Sequence, residues 1–128
     1  MKLAGYWMMQ AIWCVSEGQE WLPLVVAADG SERRFDGKHA MTLATSAFHG
    51  APGSVLIVDG YHSRVDGAAD AMLARFRNDA VVVPYHTVDA DGGFALFAPT
   101  GKAAAIVELE AGVRGHPKAA LWDRFMRR

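Results

Sequence analysis

The sequence predicts an α+β fold: a mixed, largely antiparallel sheet with one central βαβ crossover and helices packed on it. Three observations carry this expectation. Val55-Leu56-Ile57-Val58 and Val81-Val82-Val83 are apolar runs without alternation, the pattern of strands covered on both faces. Between them Ala69, Met72, Leu73 and Phe76 recur at i, i+3, i+4 and i+7, the spacing of a helical face. Two glycine-containing turns, Asp29-Gly30 and Asp91-Gly92-Gly93, sit between extended stretches and read as hairpins, which makes the flanks antiparallel.

A chain of 128 residues, 52 % of them hydrophobic, is expected to form a single domain, 1–128, with enough core to need neither disulfides nor a structural metal. Its 13 basic and 14 acidic residues are spread along the chain, so no global field selects nucleic acid or an anionic membrane. The single cysteine, Cys14, excludes an intrachain disulfide framework and fits a reducing, cytoplasmic setting. Lys2 followed by the apolar stretch Leu3 to Val15 has the outline of a secretory signal. Gln10 interrupts it, and no small-residue cleavage pattern follows, so the stretch is expected to belong to the fold. No run reaches the roughly 18 apolar residues of a membrane span, and the expected protein is soluble.

Taken in order, Tyr6 to Val15 is rich in aromatic and branched residues and apolar on both alternating faces, which predicts a central strand, with a helix as the competing reading. Trp21 to Ala28 predicts a strand, and Pro23 near its start favours an edge. Asp29-Gly30 turns it back through Glu32-Arg33-Arg34-Phe35. Asp36 is placed to cap a helix with the apolar stripe Ala40, Met41, Ala44, Ala47 and Phe48, stopped by Gly50 and Pro52. The central βαβ unit follows, its helix capped by Ser63 or Asp66 and stopped at Asn78. The Gly60–Val65 loop is slightly long for such a connection.

After Pro84, Tyr85 to Val88 and Phe94 to Phe97 form the second hairpin. Lys102 to Ala111 is ambiguous: its alanines favour a helix, while Val107-Glu108-Leu109-Glu110 alternates as a strand does, and the strand reading is preferred slightly. Pro117 opens a last helix with Leu121, Trp122, Phe125 and Met126 on one face. Tyr6, Trp7, Trp13 and Trp21 crowd the first two strands, to pack the core or to line an apolar pocket or a subunit interface.

If the two apolar strands are parallel neighbours, their carboxyl ends carry polar groups to one edge. Asp59, Tyr61, His62, Ser63 and Arg64 leave one strand, and Tyr85, His86 and Asp89 leave the other. Asp59, His62, His86 and Asp89 are the candidate catalytic set, able to share acid and base roles or to hold a divalent metal that activates water. Tyr61, Arg64 and Tyr85 are the candidate ligand-binding residues. Against this stands turn chemistry: five Asp-Gly pairs show that the chain repeatedly turns on aspartate, and Asp59 fits that use. His39 and His49 are ten positions apart and form no i, i+4 ligand pair, His116 has no visible partner, and Cys14 reads as a small apolar residue. Ser54 lacks the strand-to-helix setting of a nucleophile elbow, and Gly50-Ala51-Pro52-Gly53 lacks the lysine of a phosphate loop.

Val58-Asp59-Gly60-Tyr61 after an apolar strand, with Asp89-Ala90-Asp91 later, resembles a reduced form of the Toprim catalytic pattern of primases and topoisomerases. That family has glutamate where Asp59 stands and further strand-helix structure between its motifs, so its function is not carried over. The expectation from the residues is a small-molecule-binding or protein-interaction module, homodimeric, without nucleic-acid or membrane partners and with no cofactor specified. The alternative is a small metal-assisted hydrolase or phosphoryl-transfer enzyme.

Overall fold

The computed structural model describes residues 2–64, 67–87 and 93–127, and side chains for all of these except 61–64, 67–69 and 127. In chain order the elements are α1 (Leu3–Ser16), β1 (Leu24–Val26), β2 (Glu32–Arg34), α2 (Ala40–His49), β3 (Val55–Arg64), β4 (Gly67–Phe76), β5 (Asp79–Thr87), β6 (Phe94–Phe97), α3 (Ala103–Val113), α4 (Ala119–Phe125) and β7 (Met126–Arg127). The fold is α+β, with helices packed on a sheet whose strands run in the order β2-β1-β3-β4-β5-β6-β7. Every neighbouring pair is antiparallel except β6 and β7, which are parallel.

The centre of the sheet differs from the expected βαβ unit. Residues 67–76 form a strand, not a helix, and β3, β4 and β5 are a meander with Asp59 opposite Met72 and Leu73 opposite Val82. Ala, Met, Leu and Arg favour helices in isolation, but here Met72, Ala74 and Phe76 point to one buried layer while Ala71 and Leu73 point to the other side. Two ready-made neighbours decide the outcome over local propensity. The connection from β4 to β5 is the two-residue turn Arg77-Asn78, with Arg77 in the left-handed region at φ 57°. The parallel crossover exists, but at the sheet edge, where α3 and α4 link β6 to β7. Since β4 follows β3 directly, no strand-helix unit separates them, and the Toprim likeness has no counterpart in the topology.

Tyr6 to Val15 is a helix, not a central strand. Its buried residues Ala4, Met8, Met9, Ala11 and Ile12 follow helical spacing, and its length of 14 residues exceeds an ordinary strand. It reads as apolar all round because it lies between the sheet and α3, with Trp7, Trp13, Cys14 and Val15 half-buried against the same layer. Residues 103–113 are likewise a helix, not a strand, burying Ala105, Leu109, Gly112 and Val113. α1 and α3 cross at glycines: a Cβ on Gly5 would land on the Leu109 carbonyl, and one on Gly112 would sit 2.6 Å from the Lys2 carbonyl oxygen.

β1 is interior, between β2 and β3, not at the edge that Pro23 suggested. Pro23 precedes the first paired residue, so its missing N–H removes no ladder bond, while its carbonyl accepts the Phe35 N–H. The edge falls to β2, whose Glu32-Arg33-Arg34 is exposed throughout and charged, a composition that discourages further pairing. Both expected strand pairs form, β1 with β2 and β5 with β6, while Val88, Asp91 and Gly92 of the second hairpin lie outside the described residues. At the first, Asp29 accepts hydrogen bonds from the Ser31 N–H and hydroxyl, and Gly30 takes φ 91°. Asp36 does not cap α2: its carboxylate accepts the N–H of Gly37, and His39 stands at the cap position.

The two faces of the sheet are unequal. α1, α3 and α4 cover one face, over a core that includes Ile57, Met72, Val83, Leu96, Leu109 and Trp122. On the other face, among the described residues, α2 packs on Val25, Leu56 and Val58 through Ala44 and Phe48. No helix among the described residues is long and apolar enough to cross a membrane.

Candidate functional site

Alternation along β3 sends Ile57 and Asp59 to the face under α1, α3 and α4, and Val58 and Gly60 to the α2 face. Two features therefore lie back to back on one strand.

On the first side the Tyr85 hydroxyl donates to Asp59 Oδ1 at 2.7 Å. Tyr85 is buried and stacks on Phe94, ring centroids 5.3 Å apart, and Phe94 in turn meets the Phe125 ring edge-on at 5.0 Å. The aromatic stack fixes the phenol, and the phenol fixes the carboxylate. Partial burial holds the Asp59 carboxyl above the ordinary carboxylate range; the Tyr85 hydrogen bond opposes this, and the negative charge of Asp70 on β4 adds to it. Asp59 is thus neither a turn residue nor at a strand end, as the sequence reading had it, but a mid-strand carboxylate kept easy to protonate. Such a group can hold or release a proton beside a phenol.

On the other side is an apolar hollow of about 310 Å³, lined by Met41 from α2, Val58, Asp59 and Gly60 from β3, Ala71 and Leu73 from β4, and Val82 from β5. Its floor follows from register. Val58, Leu73 and Val82 form one row across the three strands, and Gly60 and Ala71 form the next, with Pro84 beyond them. Two of the smallest side chains stand side by side, so the row is low. A Cβ added to Gly60 meets nothing within 4 Å, and Gly60 has no left-handed backbone to require glycine. Met41 is the wall, 45 % exposed, and α2 also leaves Leu43 54 % exposed.

The structure brings Asp59 and Tyr85 together, and separates them from His86. His86 follows Tyr85 in β5, stands opposite Ala95 and is exposed, so alternation turns it to the opposite face from Tyr85. Tyr61, His62 and Arg64 lie on β3 opposite Asp70, Ala69 and Gly67, and their side chains are outside the described set. Asp89 lies outside the described residues. Among the described residues no three histidine, cysteine or acidic side chains converge to hold a metal ion.

His116, with no partner visible in the sequence, has two in the structure. Nε2 is 2.8 Å from Gln10 Oε1, and Nδ1 accepts the Lys118 N–H at 2.9 Å. Trp7 and Trp13 lie on α1, while Trp21 is buried and donates through Nε1 to the Ile57 carbonyl. Ser54 is a turn residue as expected, its hydroxyl donating to the Phe48 carbonyl. The lining of the hollow escaped the sequence reading except for Asp59, whose side chain faces the other layer. Its signal was the even spacing of Ala71 and Leu73, which gains meaning only once 67–76 is taken as a strand. No protein-family model matches the chain, and neither a curated protein nor a solved structure matches it.

Proposed function

We propose that the protein is a binding module whose binding surface is the sheet face beside α2, and that the hollow there takes a small, largely apolar molecule. The observation that supports this most is the open space over Gly60 in the hollow's floor, beside the small, buried Ala71 and walled by an exposed Met41. Its volume lies at the lower end of ligand pockets, which are commonly lined by apolar side chains with a few polar groups. Methionine suits such a wall, because its flexible thioether adapts to ligands of different shape.

A fragment screen by ligand-observed NMR, run on the native protein and on Gly60→Leu, tests the reading. Fragments that bind the native protein and fail to bind the filled variant support it. Binding unchanged in Gly60→Leu contradicts it. Sedimentation velocity covers the homodimer reading: a dimer dissociated by Leu43→Glu would assign this face to a second copy instead of a small molecule.

An enzymatic reading has one supporting observation, the easily protonated Asp59 beside Tyr85. Melting the metal-stripped protein with a panel of divalent cations, and repeating it on a variant with His62 and His86 both changed to alanine, tests its metal-assisted form. A rise in midpoint for one cation that the double variant loses supports it, and flat midpoints remove it.

A further inference from the structure

A buried polar knot lies far in sequence from the sheet face and takes no part in the reading above. His116 sits in the corner between α3 and α4, is only 5 % exposed, and packs on α1. Its ring lies 4.8 Å from the Tyr6 ring and 6.3 Å from the Trp13 ring, centroid to centroid. Both nitrogens are engaged. The Lys118 N–H, just ahead of α4, donates to Nδ1, so Nδ1 carries no proton, and the one proton of the neutral ring is on Nε2, donated to Gln10 Oε1 of α1. The main chain of the corner is tied to the same residue: His116 N–H donates to the Val113 carbonyl, and Ala119 N–H donates to the His116 carbonyl.

We infer that His116 is an acid-sensitive latch: as a neutral ring it fastens the α3–α4 corner to α1, and a second proton on Nδ1 breaks the bond from the Lys118 N–H and loosens that corner. The chemistry is local. A proton from solvent occupies the lone pair that accepted the Lys118 N–H, and the imidazolium then turns a donor on both sides. Gln10 can still accept from Nε2, but the Lys118 amide, partly buried, then faces another N–H and loses its acceptor.

The ionisable groups on the surrounding elements do not soften this. From α1 the ring meets the Tyr6 phenol. At the corner Lys118 lies over Trp13, its ammonium 5.2 Å from the ring centre. Arg114 is held by Asp123 of α4 through two hydrogen bonds of 2.7 and 2.8 Å, and Glu110 of α3 accepts the Trp122 Nε1–H. No carboxylate among the described residues is hydrogen-bonded to the imidazole to stabilise its charged form. Burial first, and the Lys118 charge second, hold the imidazole below its ordinary pKa.

The sign follows. The unfolded chain takes up the proton near the ordinary imidazole value, about 6.5. The folded chain resists it, so the stability contributed by the neutral latch is complete above that value and falls as pH drops below it, by up to about tenfold in the folding constant per pH unit.

The experiment combines an NMR titration of the histidine rings with hydrogen exchange of the α3–α4 corner and α4 across the same pH range. It uses the native chain, His116→Asn, which cannot titrate, and Lys118→Gln, which keeps the amide and removes the charge. The resonance missing from His116→Asn identifies the ring. The latch requires that His116 titrate below the ordinary value, that exchange rise over that same interval, and that Lys118→Gln move both transitions upward together. A ring titrating at or above the ordinary value, or exchange that ignores its titration, overturns the proposal. If His116→Asn does not fold, a ring and exchange transition that Lys118→Gln leaves in place overturns it just as well.

Discussion

Asp59 and Gly60 are consecutive, yet they face opposite layers of the protein and have opposite energetics. Asp59 keeps a half-buried carboxylate against the pull of desolvation, and its raised pKa means that the folded state binds its proton more readily than the unfolded chain does. Its favourable contribution is therefore present at acid pH and lost as pH rises through the folded pKa. Asp59→Asn is expected to stabilise the protein at neutral pH, by less than about 1 kcal/mol given the site's partial solvation. Urea unfolding at pH 7 and again near pH 4 checks this, and the gain should shrink in acid. Gly60 is a strand glycine with open space above it, and Gly60→Leu is expected to leave the fold intact and add up to about 0.5–1 kcal/mol, read by the same unfolding curves. A large loss would mean that Gly60 holds a backbone contact the geometry does not show. At this scale the sequence was partly legible. Asp59 and Tyr85 stood out as chemical residues, but their meeting depends on a strand pairing that residue types do not specify, and His116 drew its partners from α1, more than a hundred positions away.

At the scale of elements, what was legible followed from turn chemistry, and what was lost followed from burial. Asp29-Gly30 marked a real hairpin, the extended runs ending in Thr87 and starting at Phe94 marked a real strand pair, and the stripe ending in Phe48 marked a real helix. α1 and β4 were exchanged in type. A helix covered on several sides loses its polar stripe, and β4 is built of residues that favour helices yet is paired on both edges. Length argued for α1, and the two-residue Arg77-Asn78 turn between two apolar runs argued for β4. The crossing of α1 and α3 yields a sharper expectation. Backbone meets backbone at Gly5 and Gly112, so the added methyl of Gly5→Ala has nowhere to go unless the helices part. Its cost should be about 1–3 kcal/mol, visible as a lowered denaturation midpoint, with little change at the remote sheet face. An unchanged midpoint would mean that the helices do not cross this closely.

In the molecule as a whole, among the described residues, one face of the sheet is packed under three helices and the other under α2. Among the described residues α1, α3 and α4 pack on the first, and α2 packs on the β1 and β3 side of the second, with the half-buried Leu73 and Val82 and the open Gly60 beside an exposed methionine. The α+β class and the antiparallel bias were readable from the alternation of runs and turns. The hollow beside α2 was not, since it exists only once the helices are placed. Exposed apolar surface of this kind commonly marks a binding site. The most direct measurement is a methyl spectrum of the protein titrated with a fragment that binds it. The binding-module account predicts shifts confined to the Met41, Val58, Leu73 and Val82 methyls and abolished in Gly60→Leu. Shifts centred on the Tyr85–Phe94 side of the sheet, or spread over the α1–α3 core, would contradict it.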